Sequence, residues 1–137
     1  MKVALDTNLF IYFLEGIEPY ATRVEGLLNS LMRRENEGII STISIAEVLT
    51  GFYTAEDEEG AKETKSLFED LTSNGFEIVP VSFEIADIAA SLRARRGGRL
   101  PDALIVATAI DRAANLIYSQ DEELQRFGEE IRILKLE

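Results

Sequence analysis

The sequence contains no cysteine, no histidine and no tryptophan among its 137 residues. Without cysteine the chain forms no disulfide, and without cysteine or histidine it lacks the sulfur and nitrogen ligands of zinc sites. A histidine general base and a cysteine nucleophile are excluded for the same reason. Any catalysis must therefore use carboxylates, hydroxyls, lysine, arginine or a metal held by oxygen ligands, for which Mg²⁺ and Mn²⁺ are the usual ions.

Long hydrophobic runs are also missing. The apolar run at residues 9–14 lies between Asp6 and Glu15, which makes it too short to cross a bilayer and on the short side for a signal peptide. The chain is 46% hydrophobic and long enough to bury a core, so we expect a single folded domain over residues 1–137. We expect it to be soluble and cytoplasmic, with no membrane partner.

Positive charge is scarce, because 14 basic residues stand against 25 acidic ones and give a net charge of −11. A protein that binds nucleic acid through general electrostatics is usually basic. The basic residues are densest at Arg93, Arg95, Arg96 and Arg99. A nucleic-acid substrate would therefore have to be held by this local group and by a bound metal. The acidic excess also favours a basic protein partner.

Strand and helix patterns alternate along the chain. Short apolar segments predict strands at about residues 2–5, 39–42, 76–81, 116–118 and 131–136. Helices are expected to begin at residues 6–8, after Ser82 and at about Pro101, and to occupy about residues 20–35, 44–52, 55–73 and 121–126. This alternation predicts a three-layer α/β/α fold with a central, mainly parallel sheet.

Four acidic residues are distinguished by their positions in this pattern. Asp6 and Asp121 follow predicted strands, Glu47 lies just after another in the first turn of a predicted helix, and Asp102 begins the apolar helix behind Pro101. In an open parallel sheet, the carboxyl ends of the strands and the adjacent helix starts meet at one edge, where ligands bind. These four carboxylates are therefore candidates for a single site.

Each acid could also serve only to stabilise the start of a helix. Asp6 and Asp121 are suited to the N-cap position, Asp102 to the first turn, and Ser44 with Glu47 has the spacing of a capping box. If the four were clustered, however, each close pair would repel by roughly 4 kcal/mol at an effective dielectric near 20, more than a cap contributes. A divalent cation would offset that repulsion.

Four segments resemble the sequence signatures of PIN domains. Residues 3–8, Val-Ala-Leu-Asp-Thr-Asn, resemble the opening strand of that family, and residues 41–49 resemble the second signature around its glutamate. Residues 98–109 look like the third signature, and Ser-Gln-Asp at 119–121 resembles the closing one. The four occur in the family's order and span nearly the whole chain.

This resemblance implies a site and an activity. The site residues implied are Asp6, Glu47, Asp102 and Asp121. The activity implied is Mg²⁺- or Mn²⁺-dependent cleavage of single-stranded or loop RNA, with Asp6 and Asp102 as the primary metal ligands. Beside such a site, Thr7, Asn8 and Ser119 could orient the ligands. Arg93, Arg95, Arg96 and Arg99 could contact RNA phosphates or could form a solvated helix end favoured by the helix dipole. A chain of this size also looks like the toxin of a VapBC-type toxin–antitoxin pair, a homodimer silenced by an antitoxin that inserts into the acidic cleft.

Two other interpretations remain open. The phosphatases that form a phospho-aspartate place their nucleophile after the first strand, but they carry a second aspartate two residues on, where this chain has Asn8. No lysine follows Asp102 in a suitable motif either. The other alternative is a catalytically silent PIN-like scaffold that binds a protein partner.

Overall fold

A parallel sheet of five strands lies at the centre of the computed structural model, which describes residues 1–33 and 36–137. The strands are β1 (Lys2–Leu5), β2 (Glu37–Ser41), β3 (Glu77–Val79), β4 (Leu116–Tyr118) and β5 (Arg132–Leu134). Their order across the sheet is β3-β2-β1-β4-β5, and every neighbouring pair is parallel. The chain therefore adds β2 and β3 on one side of β1 and then β4 and β5 on the other side. A topological switch point lies between β1 and β4.

Helices cover both faces of this sheet. They are α1 (Thr7–Glu15), α2 (Tyr20–Leu31), α3 (Thr42–Thr54), α4 (Glu58–Ser73), α5 (Phe83–Arg96), α6 (Leu100–Asp111) and a 3₁₀ helix (Glu122–Phe127). The central strand β1 shows the layering, because Val3 and Leu5 pack on the face covered by α1–α4 while Ala4 packs beneath α5, α6 and the 3₁₀ helix. The predicted three-layer α/β/α fold is confirmed, and its sheet is entirely parallel.

Most predicted elements are present, with shifted ends. The strand at 116–118 is confirmed, whereas β3 and β5 are shorter than predicted. In α2, Val24, Leu28 and Leu31 are buried in the core, at the three- and four-residue spacing of one helix face. This helix ends at Leu31, and its predicted end at Glu35 lies outside the described residues.

The predicted start of α3 at Ser44 is wrong. The helix begins at Thr42, because Ser41 is its N-cap and accepts a hydrogen bond from the backbone N–H of Ile43 at 3.1 Å. Glu47 therefore lies in the second turn rather than the first, and the capping box with Ser44 does not form. None of the helices in residues 1–33 and 36–137 is long and apolar enough to span a bilayer.

Candidate active site

Asp6 occupies the first position after β1, at the switch point of the sheet. Its backbone N–H donates to the carbonyl oxygen of Tyr118 at 3.0 Å, which ties the ends of β1 and β4 together. Oδ1 accepts from the backbone N–H of Thr7 at 2.8 Å, so Asp6 is the N-cap of α1 as predicted. Oδ2 accepts from the Ser119 hydroxyl at 2.6 Å. Both carboxylate oxygens are thus fixed in a residue that is 4% exposed.

The environment of Asp6 disfavours its charge. Burial raises the pKa of this carboxyl from its ordinary value of 3.8 to about 6. The hydrogen bonds from Ser119 and Thr7 oppose that rise, whereas the negative charges of Asp102 and Asp121 add to it. A carboxylate that is ionised at neutral pH in such surroundings is stabilised by a nearby cation.

Glu47 is joined to the same end of the sheet through Thr7. The Thr7 hydroxyl donates to Glu47 Oε1 at 2.7 Å and lies 3.0 Å from the buried hydroxyl of Ser44. Ser44 and Glu47 are one helical turn apart and face α1 together. Sequence analysis missed this role of Ser44, although the three-residue spacing indicated that the two side chains share a helix face.

Asp102 lies in the first turn of α6 and is 5% exposed. Its carboxylate faces the guanidinium of Arg99, with Nε and Nη2 each 3.4 Å from a carboxylate oxygen. The Asp102 carboxylate raises the pKa of Arg99, and the charges of Glu47 and Asp121 add to this effect. Arg99 therefore supplies positive charge to the acidic end of the sheet, although its own side chain is 69% exposed.

Asp121 completes the set from the loop after β4. It caps the 3₁₀ helix as predicted, because Oδ1 accepts from the backbone N–H of Glu123 at 2.9 Å. Its own backbone N–H donates to Ser119 Oγ at 3.0 Å. Since the Ser119 hydroxyl also donates to Asp6, this serine connects two acids that are far apart in the sequence.

One cavity of about 160 Å³ brings all four acids together. The side chains that line it are Asp6, Thr7, Asn8, Ile11, Glu47, Arg99, Asp102 and Asp121. We call it the acidic cleft. It contains the four carboxylates singled out in the sequence, drawn from four separate segments of the chain. The capping roles of Asp6 and Asp121 coexist with this clustering.

The chemistry of the cleft suits a hard divalent cation. Every available ligand is an oxygen atom, as Mg²⁺ and Mn²⁺ prefer. The side-chain oxygen Oδ1 of Asn8 is buried and has no hydrogen-bond partner among the described residues. As placed, no three acidic side chains in residues 1–33 and 36–137 lie close enough together to hold one metal ion. The oxygen ligands of these residues suit such an ion, and their side chains would have to move closer together to coordinate it.

The four arginines predicted to contact phosphate occupy different surroundings. Arg95 is paired with Glu130 at 2.5 Å, and Arg96 lies 3.3 Å from the same carboxylate. Arg93 donates to the carbonyl oxygen of Gly98 at 3.1 Å. Of these four, Arg99 lines the acidic cleft.

The fold and the cleft together define a class: an open parallel α/β protein with carboxylates gathered at its topological switch point. A family model described as the PIN domain matches residues 3–130. The chain therefore belongs to the PIN domain family. Among curated proteins, none matches the sequence.

Solved structures share the fold over nearly the whole chain. The structure of VapBC2 from Rickettsia felis bound to a promoter DNA fragment aligns with a TM-score of 0.76 and 20% identity, covering 100% of both chains. VapC20 of Mycobacterium tuberculosis, described as a toxin that cleaves the sarcin–ricin loop, aligns with a TM-score of 0.74 and 15% identity, covering 92% of this chain and 95% of that one. A toxin–antitoxin complex from Klebsiella pneumoniae aligns with a TM-score of 0.71 and 23% identity, covering 96% and 95%.

Proposed function

We propose that this protein is a metal-dependent endoribonuclease and the toxin of a VapBC-type toxin–antitoxin pair. The observation that carries the proposal is the acidic cleft, in which carboxylates from four segments of the chain line one cavity of about 160 Å³. Membership of the PIN domain family supports a nuclease. The sarcin–ricin loop cleaved by the M. tuberculosis relative supports RNA as the substrate.

The four carboxylates differ in burial, and they would have different roles in metal binding. Asp6 and Asp102 are the most buried of them, at 4% and 5% exposed, and would be the primary ligands of Mg²⁺ or Mn²⁺. Glu47 and Asp121 would complete one or two metal sites from the rim. The metal would supply a water of lowered pKa and would offset negative charge on the phosphodiester.

The neighbouring polar groups would position these ligands. Ser119 and the backbone N–H of Thr7 hold the two oxygens of Asp6 in one orientation, and the Thr7 hydroxyl holds Glu47. Asn8 lines the cleft and has a side-chain oxygen with no hydrogen-bond partner among the described residues. Arg99 would grip a substrate phosphate with its paired N–H donors once it leaves Asp102.

The partners follow from the same site and from the relatives. Arg99 lines the cleft with its guanidinium 3.4 Å from Asp102, and we infer that an antitoxin arginine inserted beside these acids would block metal and substrate together. Structures of toxin–antitoxin complexes among the relatives support such a partner. We further propose a homodimer in which residues 1–137 form one PIN domain, which light scattering on the purified protein would test.

Cleavage of a mixed cellular RNA pool tests the activity. Purified protein is incubated with Mg²⁺, with Mn²⁺ and with a chelator, alongside Asp6→Asn and the control Asp87→Asn, which removes an exposed carboxylate of α5. Discrete fragments that need metal, persist with Asp87→Asn and disappear with Asp6→Asn would support the proposal. Cleavage that survives the chelator or Asp6→Asn would refute it, and a fully inactive protein that still binds an antitoxin would favour the silent scaffold.

A further inference from the structure

Seven basic residues of this acidic protein form ion pairs with carboxylates of the described residues. The basic residues that form ion pairs among the described residues are Lys2, Arg95, Arg96, Arg99, Arg112, Arg126 and Lys135. Arg23 of α2 and Arg132 of β5 are exposed and form no ion pair with a described residue. Both nevertheless line the same pocket, although 109 positions separate them in the sequence.

We call this the basic pocket, and it has a volume of about 500 Å³. Lys135 adds a third cation, and Tyr118, Leu27 and Leu134 give the pocket an apolar side. The cations are partly balanced, since Glu137 also lines the pocket and Lys135 is paired with Glu122. Arg23 and Arg132 are the pocket cations that form no ion pair with a described residue.

The basic pocket adjoins the acidic cleft through β4. Tyr118 lines the pocket, and its carbonyl oxygen accepts from the backbone N–H of Asp6. Asp121 follows Tyr118 by three residues, so their Cα atoms are at most about 10 Å apart. On the other side, the backbone N–H of Leu136 donates to the Gln120 side chain at 2.5 Å, which anchors the segment after β5 to the loop that carries Asp121. We therefore expect that a strand of RNA whose scissile phosphate lies in the cleft would reach the pocket with a nearby nucleotide.

We propose that the basic pocket is a subsite for single-stranded RNA, in which Arg23 and Arg132 hold a backbone phosphate and Tyr118 contacts a base. This inference rests on the proposed ribonuclease function. Arginine forms paired hydrogen bonds to phosphate oxygens, and an aromatic ring beside cations is the combination that binds single strands without reading sequence. Substrate binding on a chain of net charge −11 requires such a local concentration of free cations. The pocket also explains how substrate is held although Arg95 and Arg96 are paired with glutamates.

The test is RNA binding by proteins that cannot cut. Every protein carries Asp102→Asn, and fluorescence anisotropy measures its affinity for a labelled single-stranded RNA of mixed sequence over a range of salt concentrations. The test variant adds Arg23→Gln and Arg132→Gln. The matched control adds Lys62→Gln and Lys65→Gln, which remove the same charge from α4. Thermal melting checks that all of them are folded.

The subsite predicts unequal losses in the two variants. The arginine variant should bind about 10-fold or more weakly and should lower the salt slope by about 0.7, because the loss of one phosphate contact removes about 0.7 for a single strand. The lysine control should stay within about 2-fold of its parent. Equal losses in both variants, or no loss in the arginine variant, would overturn the subsite.

The ribonuclease proposal is separated from the subsite by a second assay. The same substitutions are placed in the chain with Asp102 intact, and metal-dependent RNA cleavage is measured. If the wild type cleaves RNA, and the arginine variant has the same cleavage rate and the same RNA affinity, the subsite alone would be overturned. A wild type that neither cuts nor binds RNA would overturn both. An arginine variant that binds RNA normally but loses a purified protein partner would show that the pocket serves that partner instead, which also overturns the subsite.

Discussion

Replacing Asp6 with asparagine should stabilise the metal-free protein while it removes activity. Asp6 is 4% exposed, and its pKa of about 6 in the folded state exceeds the 3.8 of an ordinary aspartate. The folded protein therefore binds the proton more tightly than the unfolded chain does. Stability is fully present below pH 3.8 and is lost as the pH rises through about 6, because the ionised form is the one that burial disfavours.

The size of this effect follows from the two pKa values. A folded-state pKa of about 6 against 3.8 corresponds to about 3 kcal/mol of destabilisation above pH 6. Asparagine keeps the acceptor for the Thr7 N–H but presents an amide N–H to Ser119, whose hydroxyl must then find another acceptor, at a cost of about 1 kcal/mol. The expected net gain at pH about 8 is about 2 kcal/mol, or roughly 6–10 °C in melting temperature for a chain of this size.

Thermal melts of wild type and Asp6→Asn in a chelating buffer, between pH about 4 and about 8, measure this gain. The advantage of asparagine should be present at the upper end and should nearly vanish at the lower end. Asp87→Asn, which neutralises an exposed carboxylate of α5, should show no such dependence. If the variant is no more stable than the wild type at pH about 8, or is equally stabilised at pH about 4, the claim that the buried charge of Asp6 destabilises the protein would be refuted.

Three further changes test individual contacts. Arg99→Gln should tighten Mn²⁺ binding by about 2- to 5-fold in calorimetry, because it frees the buried Asp102 from its ion pair with an exposed arginine; unchanged or weaker binding would contradict that competition. Ser119→Ala removes a hydrogen bond that lowers the pKa of Asp6, so the acid limb of the cleavage pH profile should move to higher pH; a profile that stays in place would show that this contact is unimportant. Gly38→Ala should cost about 1–3 kcal/mol in urea unfolding, because a Cβ there would lie 2.2 Å from the Phe76 ring; a neutral change would mean that the ring moves freely.

The local pattern of the sequence was sufficient to locate most helices and strands approximately and to indicate that the four acids lie near one end of the sheet. Strand-ending carboxylates such as Asp6 and Asp121 follow short apolar segments, so their approximate positions follow from hydrophobic periodicity and strand polarity. The N-cap of α3 was predicted three residues late because Ser41 and Ser44 are equally good capping residues. The hydrogen bond that the backbone N–H of Ile43 donates to the Ser41 hydroxyl oxygen decides between them, and this contact is not visible in a sequence.

Contacts between distant segments account for what sequence analysis could not supply. Strand order places β1 next to both β2 and β4, and this central position depends on the packing of the whole sheet. Arg95 is paired with Glu130, 35 residues further along, so its surroundings were not predictable from the local cluster of arginines. The basic pocket is likewise assembled from α2 and β5, at opposite ends of the chain.

The central claim, that four carboxylates form one metal centre, is tested most directly by titrating metal-free protein with Mn²⁺ in a calorimeter. The account predicts binding by the wild type and by Asp87→Asn, and binding that is at least about 10-fold weaker in Asp102→Asn and in Glu47→Gln. Because no three acids among the described residues are close enough to hold an ion as placed, this titration also tests whether the side chains close around one. A wild type that binds no Mn²⁺, or Asp102→Asn and Glu47→Gln variants that bind it as tightly as the wild type, would contradict the account.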